Sequence, residues 1–391
     1  MPKTVWSGDA MGSSADKVDA TIALAHDYVT QRGGAERVAL SMTRAFEGSP
    51  LHTTLYDPAG SFPEFDDVDV RPMRINHWGM LRRHHRLALP FLAEAVSHHH
   101  VDADVLVASS SGWAHGIPTD GRKVVYCHAP ARWLYQTERY AGGGAERRSL
   151  RGTAVKLATN VLGSHLREWD QRVAKTADRY LVNSTVVKRA VEEVYGIEAE
   201  VLAPPPALVG RHGAMTEIIG VGRPFVLCVA RLLPYKNVDL VIEAVASIPG
   251  LDLVVVGTGP EQRRLEALAE KVGGTRLVGR VDDAELRWLY ANTEGLVAAS
   301  FEDFGLSPLE AAAFGKPTAA LQDGGYLDTV KHGTTGIFFE RPEVDHIAGA
   351  VDTMIASTWS EEVITDHAES FSERRFIARM REIVKEELAR A

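Results

Sequence analysis

Two carboxylates, Glu302 and Glu310, stand eight residues apart in ASFEDFGLSPLEAAAFGKP. The apolar run GLVAAS before them reads as a strand, the chain turns through Glu302, Asp303, Phe304 and Gly305, and a helix begins near Ser307 and Pro308. Proline is tolerated in a first helical turn, where its missing N–H would have no partner. The free amides at Leu306–Leu309 and the positive end of the helix dipole then offer a place for a phosphate. At this spacing the carboxylates need not face each other; each can reach a different part of one ligand. Upstream, ARLLPYKN sets Arg231, planar and bidentate, and Lys236, a mobile point charge, just after another strand. In YVTQRGGAERV, Gly33 and Gly34 let backbone approach an anion closely, although such a pair also serves merely to end a strand and open a helix. His128 closes the run RKVVYCHA and is read either as a site histidine or as a satisfied core one. Arg132 is read either as a phosphate ligand or as part of a solvated helix face.

These residues need rigid supports at defined places. From Asp19 to Pro206 apolar strand-like runs alternate with helical patterns: TIALAH, AERVALSMTRAF, ADVLVASS, RKVVYCHA, a helical stretch around 152–177, and RYLVNS before TVVKRAVEEVYG. Such alternation predicts parallel sheets covered by crossover helices. Pro204, Pro205 and Pro206 then forbid helix, and residues 207–223 are taken as a linker. The second half repeats short, continuous apolar strands, as expected where both faces of a sheet are covered. The division is therefore a tail over 1–18, a first domain over 19–206, a linker, a second domain over 224–370, and a helix over 371–391 that packs back on the first domain. That helix carries Phe376, Ile377, Met380, Ile383, Val384 and Leu388 at helical spacing. The fold class is α/β: two doubly wound, Rossmann-like domains and a C-terminal amphipathic helix, with ligands expected beyond the carboxyl ends of facing sheets.

The bulk properties exclude several classes. A chain of 391 residues has room for two domains, and 45% hydrophobic with 24% charged residues is ordinary for a soluble globular protein. A formal charge of −9 argues against a nucleic-acid partner held by bulk charge. Cys127 and Cys228 each sit inside an apolar run and are taken as packing residues of a reduced, intracellular protein. The N-terminus has no apolar run of signal-peptide type and no stretch is long and apolar enough to span a bilayer, so the expected location is the cytoplasm. One segment opposes the overall charge. Arg82, Arg83, His84, His85 and Arg86, beside Trp78, Met80, Leu81 and Leu87, suit either a solvated helix face or peripheral contact with anionic lipid at the inner face of the membrane. His98, His99 and His100 are read as a helix terminus rather than a metal site.

The Glu302-x7-Glu310 pair around Phe-Gly-Leu resembles the signature of the family 4 retaining glycosyltransferases of GT-B fold, with further motifs agreeing in order. ARLLPYKN, LVVVGTGPEQRRLE with Gly257, LVGRVDDAELRWLYA with Val281, YVTQRGGAERV and VVYCHAPARWLY each resemble a segment of that family. Two departures stand out: Ala230 where the family commonly has glycine before the arginine, and Asp328 in DGGYLDTV where glutamate is commoner.

The resemblance implies the following roles. Glu302 binds hydroxyls of a donor sugar, Glu310 binds the ribose, and Val281 holds the base through its backbone. His128 meets the sugar near its reacting centre. Arg231 and Lys236, with Gly33, Gly34, Gly257, Phe304, Gly305, Leu306 and Ser307, hold the leaving diphosphate, whose growing charge must be stabilised. Arg132, Arg82 and Arg83 are acceptor-side candidates. No metal and no cofactor beyond the nucleotide sugar are implied, and the acceptor is a saccharide or a lipid-linked one. The CHAPARWLY segment favours a mannosyltransferase type and hence GDP-mannose. A nucleotide-sugar epimerase of the same fold and a catalytically silent nucleotide-sugar-binding partner are the alternatives.

Overall fold

The computed structural model describes residues 20–83, 88–135, 163–208, 210, 213–222 and 224–390. The tail over 1–18, residues 152–162 of the helical stretch, and His84, His85, Arg86 and Leu87 of the basic run lie outside them. Residues Met1–Pro204 with Glu373–Ala391 make one compact unit, and Pro205–Ser372 make another.

The first unit is built on seven parallel strands: β1 (Ile22–His26), β2 (Leu51–Thr53), β3 (Val70–Pro72), β4 (Val105–Ser110), β5 (Arg122–Cys127), β6 (Arg179–Val182) and β7 (Glu200–Val201), in the order β3-β2-β1-β4-β5-β6-β7. The order reverses between β1 and β4, so their carboxyl ends open a crevice that no crossover helix covers. Alternation along the strands feeds two cores. Ile22, Leu24, Val105, Val107, Val124 and Tyr126 face one side; Ala23, Ala25, Leu106, Ala108, Val125 and Cys127 face the other. Both sides are covered, which is why these strands read as continuous apolar runs.

The C-terminal helix, Glu373–Leu388, belongs to this first core. Phe376, Met380, Ile383 and Val384 are buried in it, with Ile377 and Leu388 partly buried beside them. Burying four such side chains contributes up to roughly 6–12 kcal/mol, an upper bound because the unfolded chain is already partly compact. Ion pairs fix its register on the sheet: Arg379 binds Glu200 at 2.8 Å and Arg122 binds the buried Glu387 at 2.7 Å.

The second unit carries β8 (Phe225–Val229), β9 (Asp252–Val256), β10 (Thr275–Gly279), β11 (Gly295–Ala298), β12 (Thr318–Leu321) and β13 (Gly336–Phe339), all parallel, in the order β10-β9-β8-β11-β12-β13. Its order reverses between β8 and β11, the strands that precede Arg231 and Glu302. The segment read as a linker is partly integrated here: Leu208 is buried against Phe225, Leu227 and Trp288, with Ile218 and Val221 packed beside it. Both cysteines are free and buried. Burial pushes the Cys228 thiol up to about 12 and the Cys127 thiol higher still, so both are protonated packing groups.

Candidate functional site

Beyond β8 the chain passes through Ala230 to Lys236 and then enters the helix Val238–Ala246. Asn237 joins the two with a left-handed φ of 54°, and its side-chain amide donates to the Ala299 carbonyl at 2.8 Å, tying this turn to the one after β11. The turn after β9 lies flat against it. A Cβ on Gly257 would stand 1.9 Å from the Ala230 carbonyl oxygen, and Gly257 has a φ of 134°. Gly257 is thus required for close packing of two loops, whatever else it touches.

Within this unit Lys236 and Glu302 come together as an ion pair, with side chains 10% and 27% exposed. Ser300 donates to the same Glu302 oxygen at 2.7 Å and lies 3.3 Å from the Tyr326 hydroxyl. Lys236 also stands 4.9 Å from the centre of the Tyr235 ring, a cation–π distance. The turn before the short helix Tyr326–Thr329 holds the Glu302 backbone: the Gly325 amide donates to its carbonyl at 2.8 Å. A Cβ on Gly324 would approach that carbonyl to 2.4 Å. Arg231 is exposed, and its side chain has no hydrogen-bond or ion-pair partner among the described residues.

Gly305, at a φ of 83°, precedes the helix Leu306–Ala313, which has no side-chain cap. Its first amides, including those of Leu306 and Ser307, therefore have no partner within the helix. Glu310 accepts from the buried Tyr290 hydroxyl at 2.9 Å, which orients its carboxylate. The Phe304 ring is buried, with its centre 6.2 Å from that of Phe371, so any contact it makes with a ligand falls to its backbone. Val281 is half-buried after β10. The Glu285 that follows serves locally, in a capping box where Asp282 accepts from the Glu285 amide at 2.8 Å and Glu285 accepts from the Asp282 amide at 2.9 Å.

In the first unit His128 lies just past β5, with its amide on the Ser110 carbonyl and its carbonyl accepting from Asn183, both at 2.9 Å. Its Nε2 is 2.8 Å from the Ser109 hydroxyl, which also lies 2.9 Å from His26 Nδ1. Burial, with His26 and Arg132 nearby, holds His128 down to about 3, so the ring is neutral at ordinary pH. Gly33 caps the helix Gly34–Ala45. Its φ of −126° is one any residue adopts; the constraint is space, because a Cβ there would sit 2.5 Å from Glu36 Oε2.

Glu36, Asp27, Ser300 and Tyr326 are residues the motifs did not single out. Glu36 is 1% exposed and burial pushes its carboxyl up, with His26 opposing that shift. Asp27 accepts from the amides of Ser111, Trp113 and Ala114 at 2.6, 3.1 and 2.7 Å. It thereby folds the turn beyond β4. His115 follows in that turn, its Nε2 3.1 Å from Asp170 Oδ1 but not aligned as a hydrogen bond. Arg132 opens the short helix Arg132–Tyr135, and Arg82 lies in the helix Gly79–Arg83; the Arg83 side chain is outside the described residues. His98 caps the helix Leu89–Ser97, while His99 Nε2 meets His52 Nδ1 at 2.9 Å.

The two halves of the sequence match two family profiles: Glycosyl transferases group 1 over residues 217–373 and Glycosyltransferase Family 4 over residues 32–203. The chain belongs to the family 4, group 1 glycosyltransferases. A relative in this family, the GDP-mannose-dependent alpha-(1-6)-phosphatidylinositol monomannoside mannosyltransferase of Mycolicibacterium smegmatis, is 31% identical over 178 residues, 41% of this chain and 46% of that protein. D-inositol 3-phosphate glycosyltransferase of Rhodococcus erythropolis is 29% identical over 231 residues, 52% of each chain. The matches thus span about half the length of these glycosyltransferases. The fold is shared more widely. Anabaena HepE, solved with UDP and glucose, superposes with a TM-score of 0.66 at 18% identity over 94% of this chain and 99% of that one. Sucrose-phosphate synthase of Thermosynechococcus elongatus gives 0.64 at 16% identity over 94% of this chain and 100% of that one. The fold class of this glycosyltransferase-family chain is accordingly GT-B, two Rossmann-like parallel-sheet domains.

Proposed function

We propose that this protein transfers a hexose, with mannose from GDP-mannose favoured, to a saccharide or lipid-linked acceptor in polysaccharide or glycolipid assembly, with retention of anomeric configuration and without a metal. The observation that carries the reading is the Lys236–Glu302 pair beside the unpartnered Arg231 and the uncapped helix Leu306–Ala313. It sets a hydroxyl-binding carboxylate next to two cations and free amides, which is what a sugar diphosphate requires. Family membership and the GDP-mannose-dependent relative support the donor. In the proposed reaction the acceptor oxygen bonds to the anomeric carbon while the bond from that carbon to the diphosphate breaks. The acceptor proton passes to a phosphate oxygen of the leaving group. Arg231, Lys236 and the amides of Leu306 and Ser307 stabilise the charge that develops there, while Glu302 and His128 orient the sugar.

A thermal-shift screen with GDP, UDP, ADP and dTDP sugars tests this directly, followed by product analysis with EDTA present. GDP-mannose at a hundredfold excess over its Kd should stabilise the protein by about 2.7 kcal/mol, and transfer should survive EDTA. A shift with no nucleotide sugar would overturn the reading. Interconversion of the sugar without acceptor would make the protein an epimerase instead, and binding without transfer or hydrolysis a silent partner.

Contact with a membrane surface is the second part of the proposal. Trp78, Met80 and Phe91 are 64%, 63% and 52% exposed, and Arg74 and His77 beside them are exposed as well. No acidic residue occurs between Asp69 and Glu94. Apolar side chains within a purely basic stretch suit an anionic bilayer. Co-sedimentation with phosphatidylglycerol vesicles but not phosphatidylcholine vesicles is expected, and it should weaken in Trp78→Ala/Phe91→Ala. Equal recovery with and without anionic lipid would refute it.

A further inference from the structure

The carboxyl ends of β1, β4 and β5 hold three groups whose protons are linked. His26 and Ser109 are paired residues in the β1–β4 register, and His128 follows β5. The Ser109 hydroxyl is fully buried, 2.9 Å from His26 Nδ1 and 2.8 Å from His128 Nε2. A hydroxyl has a single proton to give. If Ser109 donates to His128, His26 must donate to Ser109; if it donates to His26, His128 must be the donor. The two ring tautomers are therefore coupled through one oxygen.

We propose that Ser109 and His26 are positioning residues that lock His128 as its Nδ1–H tautomer, so that His128 presents a hydrogen-bond donor, rather than a lone pair, to an oxygen of the donor sugar. Nδ1 is the nitrogen left for that contact, because Nε2 is engaged by Ser109 and Nδ1 has no hydrogen-bond partner among the described residues. On the far side, Glu36 lies near enough to His26 and to Asp27 to interact with each electrostatically. With the proton on its Nδ1, His26 donates to Ser109 and leaves the Ser109 proton for His128 Nε2. On the His128 side stand Arg132 and the Tyr126 ring, whose centre is 5.2 Å away. Burial above all, with His26 and Arg132 nearby, keeps His128 from acquiring a second proton, so the tautomer rather than the charge is the variable. The ring planes of His26 and His128 are nearly perpendicular, at 87°, with centres 6.3 Å apart. The serine hydroxyl is the hydrogen-bonding group between them.

This inference rests on the reading of His128 as a sugar contact, and the test separates the two. Long-range ¹H–¹⁵N spectra of the histidine-labelled full chain report the tautomer directly, independently of turnover. Wild type should show His128 as Nδ1–H. Ser109→Ala should give a mixture, lower kcat by about tenfold, the worth of one hydrogen bond, and leave the donor KM nearly unchanged. Ser109→Thr, which keeps the hydroxyl, should restore both spectrum and rate. His26→Ala should move His128 toward Nε2–H, because Ser109 is then free to accept from it. An unaltered His128 spectrum in both Ser109→Ala and His26→Ala overturns the lock. Full transfer by His128→Ala overturns instead the role of His128, whatever the spectra show.

Discussion

Glu302→Ala is expected to lower the proposed glycosyl transfer by about a hundred- to a thousandfold while leaving the protein folded. The size of the loss follows from removing one preorganised polar group from a site where charge moves in the transition state. The structural cost is smaller. The Glu302 side chain is 27% exposed and Lys236 is 10% exposed, so the alanine variant strands a mostly covered ammonium. That ammonium retains the Tyr235 ring and can be reached by water. The expected loss is about 1–2 kcal/mol, a few degrees in melting temperature for units of this size. Lys236→Ala should mirror it, and the double variant should lose less than the product of the two, since each single change already breaks the shared pair. Steady-state rates with the donor found in the nucleotide screen, alongside thermal melts, decide the matter. Unchanged turnover would remove Glu302 from the site; a collapse of the fold would make its role structural.

How much of this site could be read from the residues alone depended on chain separation. Arg231, Lys236, Glu302 and Glu310 each follow or open a regular element, and the apolar runs announcing those elements are continuous because both sheet faces are covered. Their partners were harder to see. Ser300 is two residues from Glu302 yet carries no motif, and Tyr326 reaches Ser300 from the start of the short helix Tyr326–Thr329, 26 residues on. His26 and Ser109 are 83 residues apart and meet only because β1 lies next to β4, a strand order that hydrophobic pattern does not specify. The Phe304 ring, between Glu302 and Glu310 in sequence, fills space beside Phe371, a packing role visible only in three dimensions. Gly257 and Gly324 are readable as glycines of motifs, but the reason for them, backbone oxygens 1.9 and 2.4 Å from a would-be Cβ, exists only in three dimensions.

The largest effect on stability is expected from a residue no motif contains. Asp27, 3% exposed at the end of β1, accepts three backbone amides and, at 3.2 Å, the Ser110 hydroxyl. Asp27→Ala leaves those donors without a partner in a buried turn, each at about 1–3 kcal/mol, although admitted water recovers part. A net loss of roughly 3–5 kcal/mol is therefore expected. The damage should spread along a defined path. The turn carries Trp113 onto Trp169 and His115 onto Asp170, whose other oxygen accepts from the Tyr135 and Tyr195 hydroxyls at 2.8 Å each. Loosening the turn thus exposes the aromatic side of the first core while the second unit keeps its own. Two separated melting transitions should appear, the first-unit one shifted down, with early hydrogen exchange at the Trp113 and Ala114 amides. Asp27→Asn retains one acceptor oxygen and should fall between. If Asp27→Ala melts with the wild type, the amides it binds are satisfied by water and the turn is held by its aromatic packing alone.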